Sequence, residues 1–177
     1  MPQAIASSEC GRCSQAEFLL DKIVAPFRYQ FPLDSMIVRF KKSSELSLTN
    51  LLVDLAIPAF SDTPDALIPV PLHQHRLRER GFDQALLLAQ AIGKHRMIPV
   101  LDALERTRDT GTQGGLSAKA RVQNVHGAFN VRLQSPLPER VALIDDVATT
   151  GATLNACAKA LKRAGVREVQ AWVIARA

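Results

Sequence analysis

One stretch, "RVALIDDVATTGATLNACAKALKRAG" from Arg140 to Gly165, constrains the fold more than any other part of the chain. Four apolar residues run straight into two adjacent carboxylates, then a short loop of alanine, threonine and glycine, then apolar residues at helical spacing. "RVALIDDV" predicts a central strand buried on both faces. "GATLNACAKALKRAG" predicts the following helix, with Lys162 and Arg163 near its C-terminal end and Gly165 as its stop. A strand, a tight loop and a helix in that order belong to an α/β fold built on a parallel sheet.

The rest of the chain continues the alternation. Ser44 to Phe60 and Asp83 to Arg96 carry apolar residues at helical spacing, and a further helix is expected in "SAKARVQNV". "DALIPVPL", Asp65 to Leu72, reads as a buried strand ending in a stiff extended loop at Pro69 and Pro71. "IPVLDALERT" supplies another strand that runs into a polar loop, "GAFNVRL" a further one, and "EVQAWVIARA" the last. A turn is marked by Ser135, Pro136 and Pro138, while "MIVRF", Met36 to Phe40, is either a short strand or a helix start. The expected architecture is a mostly parallel sheet with helices on both faces, over residues 29–177, behind an irregular N-terminal segment over 1–28. With 177 residues, 47% of them hydrophobic, the chain suits one domain with a substantial core.

Charge narrows the ligand. A formal charge of +5 and a sequence pI near 9.4 favour anionic partners, either nucleic acid or a phosphate-rich small molecule. One Trp, one Tyr and seven scattered Phe build no evident stacking platform for single strands, which favours the small anion. Apolar runs stay below the roughly 18 residues that span a bilayer, and "MPQAIASSECGRC" lacks a charged and apolar leader, so a soluble, cytoplasmic protein without a membrane span is expected. The three cysteines, Cys10, Cys13 and Cys157, make no disulfide framework. Cys10 and Cys13 form "CGRC", half of a four-ligand zinc site, and no second pair follows, so no complete Zn2+ site is expected.

In open α/β sheets ligands sit beyond the carboxyl ends of the strands, where loops meet helix N-termini. Ala148 to Thr153 is such a loop, and its backbone N–H groups with the positive end of the helix suit a phosphate. Gly151 permits close approach of an anion, Ala152 stays out of the way, and Thr149, Thr150 and Thr153 add hydroxyl donors. The sequence has neither G-x-x-x-x-G-K-[ST] nor a strand followed by G-x-G-x-x-G. Asp145 and Asp146, at the strand tip, can accept hydrogen bonds from the vicinal hydroxyls of a ribose. The plainer alternative is that the aspartates cap the turn and the threonines start the helix.

The joined motif, four apolar residues, "DD", a small residue and "TTGAT", resembles the 5-phosphoribosyl-1-pyrophosphate (PRPP) signature of type I phosphoribosyltransferases. Three further blocks resemble the ComF/GntX (competence protein F) branch of that superfamily: "FRYQFPLDSMIVRFKK", "IPVPLHQHRLRERGFDQALLLA" and "RTRDTGTQGGLSAKARVQNVHGAF". Asp83 stands where that branch usually has Asn. The resemblance implies a type I phosphoribosyltransferase-like sheet with a small irregular N-terminal hood. It also implies ribose contacts at Asp145 and Asp146, a 5-phosphate loop over Ala148–Thr153, and a pyrophosphate loop formed by Val70, Pro71, Leu72, His73 and Arg76. The branch commonly begins with a four-cysteine zinc element, whereas this sequence carries only its second pair.

The physical reading of those blocks is compatible. Arg76, Arg78 and Arg80 follow the strand ending at Pro71, where their charges meet a pyrophosphate or simply form a solvated basic face. Arg106 to Leu116 is polar, glycine-containing and long for a connection, so it fits a mobile lid. Arg106, Gln113, Arg121 and Asn124 resemble recurring polar positions of the family, with helix capping or surface polarity as the alternative. Arg106 joins the two aspartates as a candidate catalytic residue.

The leading functional expectation is phosphoribosyl transfer from PRPP to an acceptor, with Mg2+ on the pyrophosphate as the family implies. A second expectation, from the competence-related members, is a factor that handles single-stranded DNA and uses the phosphate pocket for binding or regulation. A third is a phosphosugar sensor without turnover. Whether the chain forms a homodimer is left open.

Overall fold

The computed structural model describes residues 18–42, 46–108, 127–132 and 136–177. The expected helix in "SAKARVQNV", Ser135, and the candidate residues Cys10, Cys13, Gln113, Arg121 and Asn124 lie outside them. The strands are β1 (Lys22–Val24), β2 (Phe27–Arg28), β3 (Ala66–Pro69), β4 (Leu104–Arg106), β5 (Phe129–Val131), β6 (Arg140–Ala148) and β7 (Glu168–Arg176). The helices are α1 (Leu33–Phe40), α2 (Leu46–Ala56), α3 (Gln74–Arg80), α4 (Gln84–Arg96) and α5 (Ala152–Arg163). A 3-10 turn over Ile57–Ala59 ends α2 at Pro58.

The sheet is parallel throughout, in the order β1-β7-β6-β3, with β2 continuing the edge against β7 beyond β1. Part of the segment expected to be irregular is therefore the edge of the main sheet. Beyond β3, Leu67 pairs with Val100: its N–H donates to Pro99 O and its O accepts from Leu101 N–H. Pro69 lies two residues on, where that pairing has ended and its missing N–H costs nothing. The strand expected in "IPVLDALERT" thus splits: Val100 closes the main sheet, and β4 turns away to pair antiparallel with β5.

β6 is central because its residues are apolar on both sides. Val141 and Leu143 face Leu154, Cys157, Ala158 and Leu161 of α5. Ala142 and Ile144 face the opposite core of α1, α2 and α4, built from Ile37, Phe40, Leu52, Val53, Leu88 and Ile92. All of these are fully or almost fully buried. The same period of two continues in β7, where Val169, Ala171 and Val173 point to the α5 side and Trp172 and Ile174 to the other. Trp172 stacks on Phe60 at 4.9 Å, and its indole N–H donates to Gln170 Oε1 at 2.8 Å.

"MIVRF" resolves as helix, since Leu33, Met36, Ile37 and Phe40 fall at positions i, i+3, i+4 and i+7 of α1, all of them in that core or packed against it. The basic stretch after Pro71 also folds as a helix. His73 caps α3 by accepting the His75 N–H on Nδ1, and Gly81, in the left-handed region at φ +77, stops it. No helix among the described residues is long and apolar enough to cross a membrane.

The helices after β3 and β6 leave the sheet on opposite faces: α4 packs on one side and α5 on the other. Two adjacent parallel strands whose connections diverge leave a crevice at their carboxyl ends, and this is where the candidate residues fall.

Candidate functional site

A cleft of about 490 Å3 opens between the carboxyl ends of β3 and β6. Val70, Pro71, Leu72, His73 and Arg76 line one bank, Asp145, Asp146 and Ala148–Thr153 the other, and Arg106 also lines the cleft. Every described candidate residue from the sequence therefore borders one cavity.

The β6 bank is held by the sheet. β6 runs through Ala148, which pairs with Arg176, so Asp145 and Asp146 lie just inside the strand's end rather than at its tip. The reason is that β7 stays apolar and extended as far as Arg176, giving the ladder a partner beyond the carboxylates. The turn is then only Thr149–Gly151. Gly151 takes φ +75, where other residues are strained, and a Cβ there would come within 3.2 Å of the Phe18 ring. No side chain of Gly151 can cap α5, and the Ala152 N–H turns to Thr150 Oγ1 at 3.3 Å. The first turn of α5 thus presents its dipole and backbone donors toward the cleft.

The two aspartates differ. Asp146 is 6% exposed, and Lys41 Nζ lies 2.9 Å from its Oδ2, an ion pair without hydrogen-bond alignment. Asp145 Oδ1 accepts the Asp146 backbone N–H at 2.8 Å. Burial, reinforced by the neighbouring Asp146 charge, pushes the Asp145 carboxyl up to about 8. At neutral pH the Asp145 carboxyl can therefore donate as well as accept a hydrogen bond, which suits a sugar hydroxyl.

The β3 bank is tied down by Asp83. Its Oδ1 accepts the Leu86 N–H and its Oδ2 the Leu72 N–H, both at 3.1 Å, so it caps α4 and pins the Val70–His73 loop. Two acceptor oxygens give Asp83 that double role, and burial raises its carboxyl above the usual range against those hydrogen bonds. Arg76 faces the cleft with Glu79 at 4.0 Å, and Arg80 donates to Gln84 Oε1 at 2.9 Å. Arg106, on β4, lies over the Phe129 ring at 5.6 Å. His73 serves as the α3 cap and also borders the cavity.

Tyr29, Lys41, Arg80 and Gln84 line the same cleft and were not singled out by the sequence as site residues beyond the arginine run. Arg80 and Gln84 sit in the "RERGFDQ" block, where the arginine spacing is a signal. Tyr29 and Lys41 come from the segment around α1, and no local pattern marks them.

Among the described residues, no three His, Cys, Asp or Glu side chains converge to hold a metal ion. Of the carboxylates lining the cleft, Asp83 is taken up by the Leu72 and Leu86 N–H groups, and Asp145 and Asp146 are the ones that would stand beside a Mg2+ brought with substrate phosphates.

No protein-family model matches the chain. It is 41% identical to competence protein F of Haemophilus influenzae over 182 residues, covering 97% of this chain and 80% of that protein. It is 36% identical to the DNA utilization protein YhgH of Escherichia coli K12, covering 99% and 81%. With competence protein ComFC of Streptococcus pneumoniae the identity is 26%, covering 86% and 67%. Among solved structures, the allosteric regulatory enzyme of purine biosynthesis superposes with a TM-score of 0.43 at 21% identity, covering 72% of this chain and 24% of that one. With 41% identity extending over nearly its whole length, the chain belongs to the competence protein F family.

Proposed function

We propose that the cleft binds PRPP and supports transfer of its phosphoribosyl group to an acceptor. The observation that carries this reading is the convergence of an acidic pair, a glycine-started helix N-terminus and a loop followed by the α3 arginines on one cavity. Each element suits one part of the ligand: α5 the 5-phosphate, Asp145 and Asp146 the ribose hydroxyls, and Val70–His73 with Arg76 the pyrophosphate.

The work of these residues is positional and electrostatic. The Thr149–Thr153 segment fixes the phosphate, the aspartates fix the ring, and the cations take the charge that develops on the departing pyrophosphate. Arg106 also lines the cleft, where its guanidinium adds to that charge stabilisation. Mg2+, carried by the pyrophosphate oxygens, would supply further neutralisation of the leaving group. No side chain of the chain is required as a nucleophile, since the acceptor provides the attacking atom.

Pyrophosphate release from PRPP, followed across a panel of nucleobases and amines, tests transfer. The expected result is release with at least one acceptor and none in Asp146→Asn. Silence across the panel with PRPP binding intact would reduce the reading to the phosphosugar sensor.

A second reading is supported by the names of the relatives, competence protein F and DNA utilization protein, and by the α3 arginines, Arg76 and Arg80 at the cleft and Arg78 exposed on the same helix. Under it the cleft rim contacts the backbone of single-stranded DNA. Affinity for an oligonucleotide should then fall steeply between low and moderate salt, and a flat salt profile would count against it.

A further inference from the structure

Arg80 and Gln84 both line the cleft, yet they belong to different helices: Arg80 is the last residue of α3 and Gln84 the first of α4. Gly81, at φ +77, breaks the helix between them, and Asp83 caps the new one. Across that break a guanidinium N–H of Arg80 donates to Gln84 Oε1 at 2.9 Å. Gln84 is 4% exposed, and its Nε2, also buried, has no hydrogen-bond partner among the described residues. The arginine is half-buried, and among the described residues no carboxylate lies within ion-pair distance of it, whereas Arg76 has Glu79 and Arg140 has Asp65.

A buried amide with one end unpaired is costly to a fold, and an apolar side chain of the same length would avoid that cost. The amide is nonetheless oriented, since turning it over would set Nε2 against the guanidinium, donor against donor. What Gln84 supplies is an acceptor without a charge. A carboxylate in its place would hold the arginine and also neutralise it, while an aliphatic residue would leave it charged but free to swing. Held by a neutral oxygen, the guanidinium keeps its charge and its remaining N–H groups for an anion in the cleft.

We infer that Gln84 is a positioning residue for Arg80: its neutral amide holds the guanidinium at the cleft without discharging it, which makes Arg80 a preorganised contact for a phosphate oxygen. Assigning that oxygen to a diphosphate rests on the PRPP reading. The hold and the charge are both measurable with inorganic pyrophosphate, without the sugar.

The test uses the full chain with Gln84→Met, Gln84→Glu and Arg80→Ala, calorimetry with inorganic pyrophosphate, and nitrogen-15 NMR of the Arg80 guanidinium. Pyrophosphate affinity should fall about tenfold or more in Arg80→Ala and about three- to tenfold in Gln84→Met, where the Arg80 signals should also average through free rotation. Gln84→Met should denature at the same or a higher urea concentration than the wild type, because the unpaired donor has gone. Gln84→Glu should keep the Arg80 signals restrained and still lose about tenfold in affinity, because the carboxylate cancels the charge. A Gln84 that merely supports the fold would give the opposite pattern, a lower denaturation midpoint in Gln84→Met with the pyrophosphate affinity of the wild type. That pattern, or undiminished affinity in Arg80→Ala, would overturn the inference, and neither result needs Gln84→Glu to fold. Pyrophosphate bound through Arg80 but not displaced by PRPP would leave the inference standing and sink the PRPP reading. PRPP bound equally well by the wild type, Arg80→Ala and Gln84→Met would sink the inference and leave the PRPP reading standing.

Discussion

The two banks of the cleft are built differently. The β6 bank stands on a nine-residue strand paired on both sides and sandwiched between two cores, and its functional groups are backbone donors and partly buried carboxylates. The β3 bank follows a four-residue strand, and its functional groups are arginines on a short exposed helix, held by Asp83 and by pairs such as Arg76 with Glu79. The first bank is specified by the core and fixes geometry. The second supplies mobile charge on a pinned loop, so substitutions there should change ligand affinity far more than stability.

The largest effect expected is on the β6 bank. Leu143→Ala removes a fully buried side chain beneath the carboxylates and should cost about 2–5 kcal/mol in chemical denaturation. Leu77→Ala on α3, whose side chain is well exposed, should stay within about 0.5 kcal/mol. Equal costs at the two positions would break the contrast.

Gly151→Ala comes next. It forces a side chain into the left-handed region and toward the Phe18 ring, and should cost about 1–2 kcal/mol in stability. Calorimetry with ribose 5-phosphate should show weaker binding, because the loop that receives the phosphate must shift. Unchanged stability and binding together would mean that this turn is not the rigid part of the site.

On the opposite bank, Arg76→Ala should leave the denaturation midpoint nearly unchanged, since its contact with Glu79 is long and exposed on the glutamate side. PRPP affinity should drop by about 1.5–3 kcal/mol, the size of a charge-assisted hydrogen bond. Ribose 5-phosphate binding should be unaffected, which separates the pyrophosphate end from the phosphate end.

A different kind of effect is a pH slope. The Asp145 carboxyl titrates near 8 in the folded chain against an ordinary 3.8. Between those values unfolding releases a proton, so rising pH favours the unfolded state. The stability this group contributes is fully present below about pH 4 and lost as pH rises through about 8. Asp145→Asn, which keeps an oxygen to accept the Asp146 N–H, should flatten that slope. An identical pH profile in the variant would show that Asp145 is not the titrating group.

Much of this arrangement was legible in the sequence, because burial on both faces writes itself as an apolar run. "RVALIDDV" and "EVQAWVIARA" are the central strand and its neighbour, and the helix after Gly151 falls where its apolar spacing places it. The loop residues were found through local chemistry: a glycine at positive φ beside threonines at a helix start. Helix α3 was not found, because its only apolar residue is Leu77 and its boundaries are set by the His73 cap and Gly81. The start of α1 stayed ambiguous since "MIVRF" alone is too short to separate a period of two from one of 3.6; Leu33 completes the helical face. Lys41 and Tyr29 were invisible for a different reason. Their place in the cleft comes from tertiary packing of α1 and its flanks against the sheet, which no short motif records.

The central claim is that the acidic pair and the α5 N-terminus grip opposite ends of one phosphorylated ribose. Calorimetric titration of PRPP with Mg2+ into the wild type and Asp146→Asn tests it most directly. The account predicts one site per chain in the wild type and a loss of about tenfold to a hundredfold in affinity in the variant, with both ligand-free proteins folded at the temperature of the titration. Equal affinities for the two proteins would contradict it.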